Sequence, residues 1–407
     1  MKKIGIVGAG PAGMLAGIIA KNENNEVTIF DSNNDLGKKL LMTGGGRCNL
    51  TNIAYYDEFL DNIVRNKKFI YSAFTKFDNY RLIDYLNSNG LETIVEKDGR
   101  VFPKSEKAID VVSFFRKELE RKNVNINLNT KIKKVYHDGI FYLTDSNNRT
   151  FNFDYLIIAT GGKSYPKTGS DGYGYKLSEK LGHKIIKPRP VLVPIYIKDK
   201  LEIRALSLKD VNIKMKYDTN NIEIDGDILL NSNFITGPAA LKSSSFMIDK
   251  KINDLSIDFY KNLTYNDLDT KIINLINDNP KKSIENALKS LLNDSLIRMI
   301  FKNIGIDSSK KAAEFTKEER KKLVEKIKKF DLEFDKFGSF ESAIVTRGGV
   351  DVAEINPKNM ESKIINNLFF VGEVLDIDGL TGGYNLQISF STAFSAANFI
   401  KENTWHI

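Results

Sequence analysis

Near the N-terminus an apolar run, Lys3–Val7, breaks at Gly8-x-Gly10-x-x-Gly13. Small residues follow to about Asn22, and a second apolar run, Val27–Phe30, ends on Asp31. Few folds accommodate this order. A strand buried on both faces reads as a continuous apolar run. Gly8 then permits a tight turn, Gly10 lets the backbone approach a pyrophosphate, and Gly13 lets the following helix pack against the strand. The helix N-terminus supplies N–H groups and a partial positive charge. Asp31, eighteen residues beyond Gly13, is placed to accept hydrogen bonds from a ribose. The segment predicts a dinucleotide-binding α/β unit without naming the dinucleotide.

A chain of 407 residues suggests two or three domains at roughly 150 residues each. The single Cys48 excludes an intramolecular disulfide and a Cys-based metal cluster, which fits a reducing compartment. His137, His183 and His406 are far apart in sequence, so no metal site is expected. Lys2 and Lys3 before the apolar N-terminal run imitate a leader. Gly8, Gly10, Pro11 and Gly13 interrupt that run, and "KNENNEVTIFD" follows in place of a small-residue cleavage site. It is also short for a membrane span of about 20 residues. We therefore read it as part of the fold and expect a cytoplasmic protein with no membrane association. The net charge of +8 comes from 60 Lys and Arg against 52 Asp and Glu, with lysine spread through the chain. That spread argues for compositional bias over a nucleic-acid footprint, and an anionic cofactor would suit it.

Further along, helical patterns cover Asn79–Ser88 and Lys107–Arg121, and "ETIVEKDGRVFP" reads as a hairpin turning at Asp98-Gly99. Strands are expected at Val124–Leu128, Ile132–His137 and Ile140–Thr144, ahead of the apolar "YLIIATGG". The character changes at "KPRPVLVPI": short strands continue to about Leu263, and a Lys-rich helical stretch fills Thr264–Phe330, with Ser283 as one capping candidate. Strand and glycine return at "SAIVTRGGVDV". The pattern predicts one α/β domain, 1–189 with 346–407, split by a β-rich domain (190–263 and 331–345) that itself carries a small helical domain (264–330).

Three more glycine turns bear on chemistry. "LIIATGGKSYP" ends like a Walker A motif, but Ile157 stands where that motif needs glycine. A strand closing on Thr160-Gly161 instead fits the second dinucleotide-contacting turn of two-domain flavoproteins, which points to FAD. In "FFVGEVLDIDGLTGGYNLQ", Gly372 permits close approach, while Glu373 and Asp376 can hydrogen-bond a ribityl chain. Gly382-Gly383 opens a helix whose positive end would stabilise charge on a reduced flavin. "KKLLMTGGGRCNLTN" holds three consecutive glycines, costly to order, and we expect Gly44–Gly46 to be bare because the flavin and its diphosphate lie against them.

"GKKLLMTGGGRCNLTN", "IIATGGKSYPKTGSDGYGY", "VTRGGVDVAEINPKNMESK" and "GEVLDIDGLTGGYNLQ" together resemble the BaiN/YhiN-like bacterial flavoproteins, FAD-dependent oxidoreductases often labelled aminoacetone-oxidase-like. The resemblance covers essentially the whole chain. It implies a Rossmann-type, glutathione-reductase-like FAD-binding domain split by an inserted β-rich domain that carries a small helical domain. One class of the family resembles a reductase of conjugated 3-oxo bile acids. The chain departs from the pattern at "ISFSTAFSAAN", which lacks the glycines usual in the last helix.

Carried over by position, the resemblance implies FAD contacts from Gly8, Gly10, Pro11, Ala12 and Gly13, with Asp31 at the adenosine ribose. Lys39, Thr43, Gly44, Gly45, Gly46, Arg47, Cys48 and Asn49 would form the loop beside the flavin, and Ile132 to Val135 the strand meeting the adenine. Thr160, Gly161, Gly372, Glu373, Asp376, Gly383, Tyr384, Asn385 and Gln387 would complete the set. NAD(P)H is the expected reductant, and the flavin would pass hydride to an unsaturated or carbonyl-bearing small molecule. Arg47 is the first candidate for fixing an anionic substrate; Cys48 and Tyr384 are candidate proton carriers. The alternatives are an oxygen-using amine or amino-ketone oxidase, and a flavin-dependent RNA-associated protein suggested by the Lys-rich segment Lys310–Lys329. That segment reads more simply as a solvated helix face, which disfavours a nucleic-acid partner. No motif sets an oligomeric state.

Overall fold

The computed structural model describes residues 1–405 and contains two compact units. One comprises residues 1–191 and the chain from Phe340 onward; the other is Leu192–Ser339.

In the first unit, β1 (Lys2–Val7) lies at the centre of a parallel five-stranded sheet. β2 (Asn25–Phe30) and β3 (Asn125–Asn127) flank it on one side, β4 (Tyr155–Ile158) and β5 (Leu368–Phe370) on the other, in the order β5-β4-β1-β2-β3. All four residues of β4 and all three of β5 are buried, as strands covered on both faces require. The covering helices include α1 (Pro11–Ala20), α2 (Ala108–Arg121) and α3 (Tyr384–Trp405), with α1 packed against both of the others. A three-stranded antiparallel meander, Ile132–Asp138, Ile140–Asp145 and Thr150–Phe153, leads into β4. The expected hairpin is present: Thr93–Val95 pairs antiparallel with Arg100–Pro103 across the Asp98-Gly99 turn. Ile185–Val191 and Val345–Val350 form a two-stranded ribbon, so the chain leaves and re-enters this unit side by side.

The second unit is built on a seven-stranded antiparallel sheet whose longest hairpin is Leu206–Tyr217 with Asn220–Leu230. Its helical segment includes Tyr265–Asp278, Asp294–Ile304 and Lys317–Lys328. The first and last open with reciprocal capping boxes, Thr264 with Asp267 and Thr316 with Glu319. The sequence separates a helical 264–330 from the strands around it. In the structure, Leu268, Ile272, Ile300, Phe301 and Ile327 share one continuous apolar cluster with Ile213, Met215 and Ile257 of the sheet.

Candidate functional site

The turn after β1 is as close-packed as its glycines suggest. Gly8 has φ +110°, and a Cβ there would lie 2.4 Å from the Ala159 carbonyl oxygen; a Cβ at Gly13 would lie 1.9 Å from that of Gly8. Gly10 is different. Its φ of −76° suits any residue, and a Cβ there would meet nothing within 4 Å. It caps α1 without a side-chain hydrogen bond, and Pro11 follows in the first turn, so the helix presents its positive end to open space. Asp31 is held from behind: Oδ2 accepts from the Ala9 amide at 2.7 Å and Oδ1 from the Asn33 amide at 2.8 Å. Each oxygen keeps a second lone pair for a hydroxyl.

Beside this turn lie three buried polar groups without hydrogen-bond partners, Thr160 Oγ1, Ser170 Oγ and the Tyr175 phenol. Ser170 Oγ is 3.2 Å from where a Gly161 Cβ would stand, and the Tyr175 ring packs against Gly172 and Gly349. Burial, then the nearby Glu373 and Asp376 carboxylates, hold the Tyr175 phenol well above its ordinary range. Buried unpartnered groups are rare in native proteins, and a cluster of them points to a missing water or ligand. Ile132 and Val135 lie on the first strand of the meander, tied to the neighbouring turn by Tyr173 donating to the Lys133 carbonyl at 2.8 Å.

The acids after β5 are already engaged. Lys39 Nζ lies 2.6 Å from Glu373 Oε2 and 2.5 Å from Ser164 Oγ, while Glu373 Oε1 accepts from the Thr346 amide at 2.8 Å. Asp376, 2% exposed, accepts from Arg65 Nε at 2.6 and 2.8 Å and from the Gly348 amide at 3.0 Å. Asp378 is fully buried against Arg347; burial raises its carboxyl despite the guanidinium. The Gly372 amide donates to Thr392 Oγ1. Glu373 and Asp376, expected at ribityl hydroxyls, thus each carry a basic partner. The sequence alone does not single out Ser164, Thr346, Arg65 or Asp378. Ser164 and Thr346 each stand two residues from a glycine pair, a usable signal; Arg65 carries none.

Around the triple glycine the reading changes. Gly44, Gly45 and Gly46 have φ of +57°, +68° and +88°, so the backbone itself demands glycine before any ligand is invoked. A Cβ at Gly45 would meet nothing within 4 Å, and one at Gly46 only the Leu41 carbonyl oxygen, at 4.0 Å. Thr43 Oγ1 bonds the Leu40 carbonyl within the loop. Arg47 turns to Glu96 at 2.5 Å, to Glu106, and over the Phe102 ring at 4.1 Å, so its charge is neutralised by this pair of acids. Cys48 is fully buried in a left-handed conformation, and burial pushes its thiol up to about 12. At pH 8 about one thiol in ten thousand would be ionised. Native Cys48 is therefore expected to resist N-ethylmaleimide at pH 8 and to react fully in denaturant; rapid native labelling read by mass spectrometry contradicts the burial.

The two loops meet where a Gly383 Cβ would stand 2.3 Å from the Thr51 backbone. The Asn49 amide, oriented to suit its neighbours, accepts from the Gly383 amide at 3.0 Å and donates to the Thr51 carbonyl at 2.9 Å. Tyr384 packs edge-on against Phe59 at 4.9 Å, and burial pushes its phenol up to about 12. It is protonated at neutral pH, able to donate a proton but not to take one. Asn385 clips the Gly379 amide and carbonyl, and Gln387 bonds the Phe77 carbonyl. Both carboxamide side chains thus hold the start of α3. His183 bonds Ser362, His137 packs on Phe141, and His406 lies outside the described residues. Among the described residues no acid, His and Cys cluster could hold a metal, and no helix is long and apolar enough to cross a membrane.

Known proteins share this architecture along its whole length. Residues 2–399 match the family described as HI0933-like protein Rossmann domain. The chain is 29% identical over 393 residues to a ribosomal RNA dihydrouridine synthase of Escherichia coli, covering 96% of both chains. It is 26% identical to a 3-dehydro-bile acid delta(4,6)-reductase of Clostridium scindens, covering 99% of this chain and all of that one. The fold resembles that of a 3-ketosteroid-delta4-(5alpha)-dehydrogenase from Rhodococcus jostii, with TM-score 0.52 and 12% identity over 98% of this chain and 97% of that one. A 3-ketosteroid delta1-dehydrogenase from Sterolibacterium denitrificans gives 0.51 and 10% over 99% and 100%. The chain belongs to the HI0933-like Rossmann family and is an FAD-dependent oxidoreductase.

Proposed function

We propose that this protein is an NAD(P)H-driven reductase that saturates a carbon–carbon double bond conjugated to a carbonyl, and that its substrate is a uracil ring in ribosomal RNA. The supporting observation is the end-to-end similarity, at 29% identity, to two proteins named ribosomal RNA dihydrouridine synthase, from Escherichia coli and Haemophilus influenzae. The name of the bile-acid relative describes the same chemical step on a steroid skeleton. On a uracil ring the step adds hydride to C6, β to the C4 carbonyl, and a proton to C5.

Bound FAD would supply the hydride. In this reading the chain's own residues bind, orient and protonate. The open end of α1 at Gly10 takes the pyrophosphate, Asp31 the ribose hydroxyls, and the unpartnered Thr160 and Ser170 hydroxyls the polar atoms nearby. The Gly44–Gly46 and Gly382–Gly383 turns offer bare backbone to the ring. Lys39, held by Glu373 and Ser164, would set a positive charge beside the cofactor. Tyr384, kept protonated by burial, is the candidate proton donor. Cys48 serves packing, and Arg47 positions its loop.

A second reading, a small-molecule enone reductase, is favoured by the bile-acid relative's full-length match. Anaerobic mixing of the yellow protein with NADH or NADPH should bleach the flavin. Adding an unmodified rRNA transcript should restore the colour and yield dihydrouridine on nucleoside mass spectrometry. Recolouring by a 3-oxo-Δ4 steroid but not by RNA overturns the RNA reading. Bleaching by an amine but by neither nicotinamide overturns the reductase.

A further inference from the structure

We infer that the tip of the helical segment in the second unit is a docking surface for the phosphate backbone of structured RNA; this rests on the ribosomal RNA reading above. Charge is distributed very unevenly in this chain. Residues 279–330 carry fourteen Lys and Arg against seven Asp and Glu, a net +7 of the chain's +8. The other 355 residues are almost neutral.

Within that segment the basic side chains fall into two classes. Eight are ion-paired, such as Lys310 with Glu319, Arg320 with Asp269 and Lys328 with Asp258. The other six, Lys281, Lys282, Lys311, Lys317, Lys321 and Lys322, are all exposed and have no acid within ion-pair distance among the described residues. The fold gathers them. An antiparallel bridge between Ser283 and Lys311, with the Ala312 amide donating to the Lys282 carbonyl at 2.9 Å, sets Lys281 and Lys282 beside Lys311. Five residues on, the Thr316-capped helix begins with Lys317, and Lys321 stands one turn later on the same face. Asp307, Glu314, Glu318 and Glu325 are the exposed acids of this stretch, leaving the patch an excess of cations.

Unpaired lysines at this density suit a polyanion, whose phosphates they neutralise with release of counterions. An anionic membrane fits less well. An interfacial helix inserts large apolar side chains, and none of the chain's strongly exposed large hydrophobics falls within 279–330. The patch would bind without reading sequence, as phosphate contacts do, and would add affinity for a large RNA substrate.

The test replaces all six lysines with glutamine in the full-length, FAD-loaded protein and measures binding to a bacterial rRNA transcript across a salt titration. Affinity near 100 mM salt should fall about tenfold or more, and the log–log salt slope should shrink by about 0.7–0.9 for each phosphate no longer neutralised. Flavin content and bleaching by NAD(P)H should be unchanged. If the sixfold variant does not fold, two triple variants (281, 282, 311 and 317, 321, 322) should each lose part of the affinity and slope. If the wild-type protein makes dihydrouridine while the variants bind RNA with unchanged affinity and slope, the docking surface is overturned and the function stands. If the wild-type protein neither binds nor modifies rRNA, both fall. Loss of binding to phosphatidylglycerol vesicles, with RNA binding intact, assigns the patch to membranes and also overturns the inference.

Discussion

Gly10→Val is expected to give a folded, colourless protein, whereas Gly13→Val is expected not to fold. The two glycines belong to one motif that gives Gly10 to the pyrophosphate and Gly13 to helix packing, and the structure puts distances on that division. A side chain at Gly13 would start 1.9 Å from the Gly8 carbonyl oxygen, so α1 would have to move off β1. Severe overpacking at buried backbone belongs to the class of substitutions that cost more than about 4 kcal/mol. Gly10 has ordinary extended dihedrals and open space where its side chain would project. Valine there should cost only about 1 kcal/mol, the scale of replacing a favoured N-cap residue by an apolar one. The valine methyls would instead occupy the path of the pyrophosphate. Retained FAD, read from the 450 nm band after gel filtration, should fall at least about a hundredfold in affinity, or about 2.7 kcal/mol. Far-ultraviolet circular dichroism of apoprotein supplies the control. A yellow Gly10→Val protein would mean that the cradle at α1 does not hold the cofactor.

The contrast shows which parts of the molecule can be read in sequence. Local patterns carry over well. The apolar runs at β1, β2 and β4 and the Asp98-Gly99 hairpin all follow from spacings within about a dozen residues. Long-range polar pairing does not carry over. Lys39 meets Glu373 across 334 positions, and Arg65 meets Asp376 across 311. Nothing local distinguishes an acid destined for a buried ion pair from one waiting for a ribityl hydroxyl. Arg47 teaches the same point: its two acid partners lie 49 and 59 residues away. The triple glycine is legible as a constrained backbone, but three left-handed residues are a sufficient cause without a ligand. A substitution that tolerates this conformation, Gly45→Asn, therefore probes the cofactor more cleanly than valine. Charge behaves likewise. Lysine is spread along the chain, but the net +7 of residues 279–330 is legible in the sequence; what the structure adds is the pairing pattern that separates neutralised cations from the six unpaired ones.

Lys328→Met is expected to lower stability by about 3–5 kcal/mol, as when one partner of a buried ion pair is removed. Lys328 and Asp258 are 8% and 5% exposed and 2.8 Å apart. The ammonium also donates to the carbonyls of Tyr260 at 2.8 Å and Leu263 at 2.7 Å. Truncation strands one carboxylate and two carbonyl oxygens in a poorly hydrated interior. The double variant Lys328→Met/Asp258→Asn should recover part of the loss, because the amide is neutral and still accepts from the Tyr260 amide that bonds Asp258 at 3.0 Å. A urea titration of the three proteins checks the order, and a single variant within about 1 kcal/mol of wild type would show that the pair is not desolvated. This salt bridge fastens the last turn of the helix bearing Lys317, Lys321 and Lys322 to the strand Ile252–Asp258. Fraying that helix should also cost RNA affinity, although none of the six docking lysines has been changed. Lys328 is fully committed to the protein interior, so its effect on binding would come from holding the cationic surface in place, and the double variant should restore affinity in step with stability.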